Sequence, residues 1–224
     1  MTFHVAKECV DLGLRAGAIV FRNMHIADAS PALRAEAAAA VEEIRARFVD
    51  AHAGRASPEV VAYHEILRAV GANPRREPPS VDRLLTLAFK RGHLPVLNNL
   101  VDAYNLISLR FLCSLGAHDL DLLALPVELR RLIGSETFTP LGRDQPQSIS
   151  SREYGYVDAK SRVLCRLDVV QAEFSKVTAN TRNVLVIIEG NTIHPPEVLR
   201  QVFRETIELV TRHCGGSAEI VAQS

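Results

Sequence analysis

Two stretches of the chain set side chains capable of chemistry into otherwise apolar surroundings. In the segment Leu94–Leu109, Asn98, Asn99, Asp102, Asn105 and Ser108 interrupt a run that reads as core. Asp102, Asn105 and Ser108 recur every three residues, so on a helix they are expected to form one polar stripe on an apolar body. A carboxylate or amide buried without a partner costs about 1–3 kcal/mol. The stripe therefore needs either a hydrogen-bond network with its neighbours or a cavity that holds a ligand. The second stretch, Ser175–Asn183, gathers Ser175, Thr178, Asn180, Thr181 and Asn183 just ahead of an apolar strand. That density suits a tight turn. It also suits a set of donors and acceptors at the mouth of a pocket.

Other candidate groups are more scattered. His118 beside Asp119 and Asp121 reads either as a ligand cluster or as turn residues with capping roles. Tyr63-His64-Glu65 falls within a helical stripe and reads as an ordinary, partly exposed histidine. Arg75, Arg76, Arg83, Lys90, Arg91 and His93 make residues 75–93 the most basic part of the chain. They form either a solvated face or a contact for a phosphate backbone. There is no GxxxxGK[ST] loop, no GxGxxG after a strand and no GxSxG elbow. The 8 histidines show no HxH or HExxH spacing, and the 4 cysteines (Cys9, Cys113, Cys165, Cys214) form no CxxC pair. No metal and no cofactor is expected, and the thiols read as reduced.

The elements that must position these groups follow from periodicity. Leu14–Arg22 reads as a buried strand with small residues where another backbone approaches. Ser30-Pro31 and Ser57-Pro58 each pair a cap with proline at the first helical position, and apolar residues follow at helical spacing to about Asp50 and Val70. After the stiff connector 73–80, Ser80 is expected to cap a third helix. The segment that begins at Leu94 is expected to form a fourth, ending near Gly116. Beyond it, 153–158 and 162–168 alternate as a hairpin, and Val184–Ile188 is a continuous apolar run suited to a central strand. His194–Glu197 opens a last helix that stops at Gly215-Gly216, and Ala218–Ala222 is expected to return as an edge strand.

The composition fits a soluble globular chain, with 47% hydrophobic and 23% charged residues and 26 basic against 26 acidic side chains. A net charge of zero provides no global field toward nucleic acid or an anionic membrane. No apolar run approaches the roughly 20 residues of a membrane span, and the N-terminus Met1–Glu8 lacks the apolar stretch of a signal peptide. A cytoplasmic protein without membrane or DNA partners is expected. Helices gather in the first half and strands in the second. This predicts one α/β (α+β) domain over 1–224, with helices packed on a mixed or antiparallel sheet.

Taken in order, the motifs form a set: Leu-Pro-x-x-Asn-x-x-Val-Asp-x-x-Asn-x-x-Ser at 94–108, Asp119-Leu120-Asp121, Thr-Pro-Leu-Gly at 139–142, and Lys-Val-Thr-x-x-Thr-x-Asn-Val at 176–184. This set resembles the B3/B4 domain of the phenylalanyl-tRNA synthetase β subunit over roughly residues 94–190. The lead-in from about 30 to 93 resembles that of freestanding B3/B4 proteins. The resemblance implies a helical lead-in 1–93, a pocket-forming core 94–190, and a C-terminal helix and strand 191–224. In the synthetase this domain hydrolyses the ester of a wrongly attached amino acid. The family's polar pair falls here on Tyr104 and Asn105. Its histidine position falls on Gly116, with His118 two residues away. Its glutamate position falls near Ile187, with Glu189 two residues further along the same strand face. Ser175, Thr178 and Thr181 match the turn.

The resemblance thus implies Asn105, His118 and Glu189 as catalytic candidates. Asp102, Tyr104, Gly116, Ser175, Thr178 and Thr181 would be substrate contacts; the basic stretch, read from its charge, offers Arg75, Arg76, Arg83, Lys90 and Arg91 as RNA contacts. The expected function is a freestanding aminoacyl-tRNA deacylase acting on tRNA or aminoacyl-tRNA. Two alternatives stand beside it: a non-catalytic module that binds tRNA or a small amino-acid-like molecule, and an interaction protein with a closed polar network in place of a pocket.

Overall fold

The computed structural model describes residues 3–223, so the expectation for Met1 and Thr2 lies outside it. The chain opens with β1 (Phe3–Val5), α1 (Lys7–Asp11) and β2 (Leu14–Arg22), followed by four helices: α2 (Pro31–Arg47), α3 (Ala51–Arg55), α4 (Pro58–Ala69) and α5 (Ser80–Arg91). Then come α6 (Asn99–Phe111), β3 (Ser114–Asp119), a 3-10 turn (Leu120–Leu122), β4 (Val127–Arg131), β5 (Tyr154–Val157), β6 (Val163–Arg166) and β7 (Val170–Gln171). The chain closes with β8 (Val184–Asn191), α7 (Pro196–Cys214) and β9 (Ser217–Gln223).

The strands form two sheets, a four-stranded one in the order β3-β8-β2-β9 and a five-stranded one in the order β1-β4-β5-β6-β7. The first is antiparallel throughout; the second is mixed, because β1 runs parallel to β4. The apolar run Val184–Ile188 lies inside the four-stranded sheet and is covered on both faces. Its alternation explains the layering. Val184, Val186 and Ile188 meet Leu100, Ala103 and Ile107 of α6 and Val202 and Phe203 of α7. Leu185 and Ile187 meet Val127, Leu129, Tyr154 and Tyr156 of the other sheet, with Ala16, Ala18 and Val20 of β2 beside them. Helices, sheet and sheet thus stack as layers of one α+β domain, and a third cluster seats α2, α4 and α5 against the end of α6. No helix among the described residues is long and apolar enough to cross a membrane.

Most expected elements are present, including the hairpin β5–β6, the edge strand β9, and α2, whose Ser30 Oγ accepts from the Leu33 N–H at 3.1 Å. Three features differ. The helix expected to reach Gly116 stops at Phe111, where Leu112 turns left-handed at φ 52°, and the next residues become β3 paired to β8. His118, read as a turn residue, therefore lies in a strand. Ser80 does not cap α5, since Pro79 occupies the cap position. Its hydroxyl instead donates to Ser114 Oγ at 2.9 Å. Asp168, expected in the second strand of the hairpin, sits past its end, with Leu167 and Asp168 both left-handed at φ 56° and 55°.

Candidate functional site

Alternation along β3 sends Leu115 and Ala117 into the helix-facing core. Ser114, Gly116 and His118 therefore face the other way, toward the five-stranded sheet. In the antiparallel register with β8, Gly116 lies opposite Ile187 and Ser114 opposite Glu189. Because β3 is an edge strand, the sheets are not sealed there, and a cavity of about 330 Å³ opens between them. Tyr156 of β5 and Asp168 of the β6–β7 turn line it from the second sheet. Val101, Tyr104 and Asn105 line it from α6 at helical spacing i, i+3, i+4, and Ser80, Arg83 and Leu84 do the same from α5. A Cβ placed on Gly116 would meet no atom within 4 Å, so this part of the wall borders open space.

Two carboxyl groups dominate the electrostatics. Glu189 is 1% exposed, and its carboxyl accepts hydrogen bonds from the Tyr156 and Tyr154 hydroxyls. Burial raises its pKa well above the usual carboxylate range, and the nearby negative charge of Asp168 adds to the rise. Asp168 is raised to about 7, again chiefly by burial, while hydrogen bonds from Ser114 and Ser80 oppose the rise. Among the described residues no lysine or arginine forms an ion pair with either group; Arg83 acts on Asp168 only at longer range. Burial thus favours the protonated form of both carboxyls. The Tyr63 hydroxyl and the Cys113 thiol both donate to the Glu189 backbone carbonyl and fix the strand beneath the carboxyl.

His118 lies on the cavity wall with Nδ1 2.9 Å from the Ser175 hydroxyl. Burial lowers its pKa to about 3, so it stays neutral and holds a proton weakly. Asn105 is half-buried, lines the cavity and makes no side-chain hydrogen bond among the described residues. Nor do the described residues hold a group of three or more His, Cys, Asp or Glu able to bind a metal ion.

The structure thus brings together Asn105, His118, Glu189, Tyr104, Gly116 and Arg83 around one space. It does not bring Asp102, Ser175, Thr178 or Thr181 to that space. The expected stripe fails on geometry, because three residues turn a helix by about 300° and successive members rotate away from one another. Asp102 instead accepts the Leu97 N–H at 2.9 Å beside a separate recess, and Ser108 Oγ is buried without a partner. Ser175 stands behind His118. Thr181 donates to Asp119 Oδ2 at 2.5 Å and accepts from the Thr178 N–H at 3.0 Å, which closes the turn on itself.

The basic residues also separate. Arg75 and Arg83 line a second groove, of about 730 Å³, with Arg55 and Arg68; Arg76, Lys90 and Arg91 are exposed and do not line it. Sequence reasoning missed Asp168, Ser114 and Tyr156 in the cavity, and Arg55 and Arg68 in the groove. One signal was present: Tyr154 and Tyr156 sit two apart in a strand, hence on one face, where buried hydroxyls need an acceptor.

Residues 62–215 match the family model described as the B3/4 domain. Comparison with curated proteins finds no sequence match. Among solved structures, an N-terminal fragment of the phenylalanyl-tRNA synthetase β subunit from Pyrococcus horikoshii superposes with a TM-score of 0.52 at 12% identity. The alignment covers 97% of this chain and 50% of that fragment, so the chain spans about half the fragment's length. At this identity the likeness is one of fold.

Proposed function

The chain belongs to the B3/4 domain family, and we propose that it hydrolyses the ester joining a wrongly attached amino acid to the 3′ end of a tRNA. One observation carries the reading: Asn105, Gly116, His118 and Glu189, drawn from three separate elements, converge with Asp168 on a single cavity. The cavity mixes apolar wall, such as Leu84, Val101 and Ile187, with a few polar groups, as small-molecule sites do.

The chemistry assigns different roles to the two carboxyls. A base works best with a pKa near the operating pH, and Asp168, at about 7, fits that need better than His118 or Glu189. In this reading Asp168 takes a proton from a water molecule as that water attacks the ester carbonyl. The new bond joins the water oxygen to the carbonyl carbon, and the bond to the ribose oxygen breaks. The proton held by Asp168 then passes to the departing ribose oxygen, which becomes a hydroxyl, leaving a free amino acid and a free tRNA end. Asn105, and Glu189 in its protonated form, would donate to the carbonyl oxygen as it gains charge. Loss of one such donor typically raises a barrier by about 2.7–4 kcal/mol. His118 positions the wall through Ser175 and remains neutral.

A direct test incubates the purified protein with a panel of mischarged tRNAs and follows release of the amino acid. Release of at least one above buffer, lost in Asn105→Ala, is the expected result. A panel without release would sink the hydrolase reading. A second reading, a module that binds without turnover, is favoured by the glycine at the position matching the family's histidine. It would appear as thermal stabilisation by the charged tRNA or free amino acid with no consumption.

A further inference from the structure

The groove beside the cavity holds more uncompensated positive charge than any other concavity described above. Arg55, Arg68, Arg75 and Arg83 line it together with His52 and His64. One acid, Asp82, lies within it, 5% exposed, and is engaged by His64 at 2.9 Å and Arg55 at 3.8 Å. Arg68, Arg75 and Arg83 are exposed and form no ion pair among the described residues. In a chain with 26 basic and 26 acidic residues, three free guanidinium groups around one concavity are a local excess that calls for an anion. Guanidinium forks match phosphate oxygens in pairs.

The groove is also joined to the cavity. On α5, Ser80, Arg83 and Leu84 face the cavity, while Asp82, Arg83, Thr86 and Leu87 face the groove. Arg83 lies where the two stripes meet, so a chain lying in the groove would pass it into the cavity. Pro74, Pro78 and Leu87 give the groove an apolar side against which a ribose or base can rest.

We propose that this groove binds the phosphodiester backbone of a single-stranded RNA 3′ end whose terminus enters the cavity. The inference rests on the reading that the cavity receives an aminoacyl ester, and it adds where and how the strand is held. A concavity framed by α3, α4 and α5 suits a flexible strand better than the side of a duplex.

The test is fluorescence anisotropy with a labelled single-stranded RNA ending in a free 3′ hydroxyl, a blunt duplex of equal length, and ATP as competitor. The single strand is expected to bind in preference to the duplex and to resist displacement by ATP. Arg68→Ala with Arg75→Ala should weaken it at least tenfold and reduce the slope of log affinity against log salt by about 1.4, or about 0.7 per lost phosphate contact. The single reversal Arg68→Glu should move affinity the same way, and circular dichroism reports whether each variant is folded. Lys90→Ala with Arg91→Ala, which alters the same amount of charge outside the groove, should leave affinity unchanged. Equal loss in both double variants, equal binding of duplex, or ready displacement by ATP would overturn the proposal. Deacylation that persists at full rate in the Arg68/Arg75 variant would overturn the groove and spare the hydrolase. Strand binding with no deacylation would do the reverse.

Discussion

The turn over 175–183 and the cavity wall are built from the same kinds of side chain, yet they use them in opposite ways. In the turn most of the polar side chains that the sequence brings forward find protein partners, and Asn180 is left exposed to solvent. Thr181 bonds Asp119, Asn183 Nδ2 bonds the Asp121 carboxylate at 3.0 Å, and Ser175 bonds His118. In the cavity Asn105 has no such partner, and the Glu189 and Asp168 carboxyls, held by the Tyr154, Tyr156 and Ser80 hydroxyls, have no ion pair among the described residues. A closed network stabilises the fold; an open set of donors and acceptors is held ready for something else. The residue types alone do not separate the two cases. What separates them is whether the opposite wall supplies the missing half of each bond.

The comparison is broken most forcefully at Asp168. Asp168→Asn removes the candidate base while keeping its shape, and hydrolysis should fall about 10²–10⁴-fold with little change in KM. Steady-state deacylation across pH checks this. The wild-type rate should rise with pH and level off above about 7, the value set by burial of the carboxyl. A variant that retains the wild-type rate would return the cavity to the same class as the turn.

The same substitution should act on stability with the opposite sign. Asp168 titrates near 7 when folded against an ordinary value of 3.8, so the folded protein binds its proton more tightly than the unfolded chain does. Stability therefore falls as pH rises from about 4 through 7, and then levels off. Asparagine carries no such penalty. Asp168→Asn should gain about 2 kcal/mol near pH 8, less than the full shift implies because solvent reaches the group through the cavity. For a chain of this size the gain is about 4–8 °C in Tm, shrinking toward pH 4. Thermal melts at both pH values measure it.

In the turn the expected effect is structural only. Thr181→Val keeps the shape but removes the bond to Asp119 and the acceptor for the Thr178 N–H. A loss of about 1–2 kcal/mol in urea titration is expected, with kcat and KM of the folded protein unchanged. A change in KM at full folding would show that the turn belongs to the site after all.

Much of the frame was legible because it is local. The continuous apolar run Val184–Ile188, the Ser30-Pro31 start and the hairpin signals each need only a few neighbouring residues. The end of α6 was not, since nothing in leucine announces the left-handed turn at Leu112 that makes Gly116 and His118 part of a strand. Ser80 looked like a cap because serine before an apolar stripe usually is one; its real partners, Ser114 and Asp168, are 34 and 88 residues away. Asn105 was singled out by its spacing and His118 by its acidic neighbours, but their place in one site with Gly116 and Glu189 was reached through resemblance to a family. Asp168 was reached by neither. It owes its place to two left-handed residues after a strand, and its chemistry to lining the same cavity as a carboxyl on another sheet.

The smallest expected change in stability falls at Gly116. A strand glycine pays a conformational penalty of about 0.5–1 kcal/mol relative to alanine, normally justified by a close neighbour. At Gly155 that justification exists, because an added Cβ would lie 2.8 Å from the Cys165 carbonyl oxygen. At Gly116 nothing lies within 4 Å of the added atom. Gly116→Ala should therefore leave the fold as stable as before or raise it by up to about 0.5 kcal/mol. If the open space is there for a ligand, the new methyl group takes part of that ligand's volume, and KM should rise several-fold while kcat changes less. Urea titration and deacylation kinetics on the same preparation separate the outcomes. A gain in stability with an unchanged KM would mean that the gap beside Gly116 is a packing defect and that the substrate lies elsewhere in the cavity.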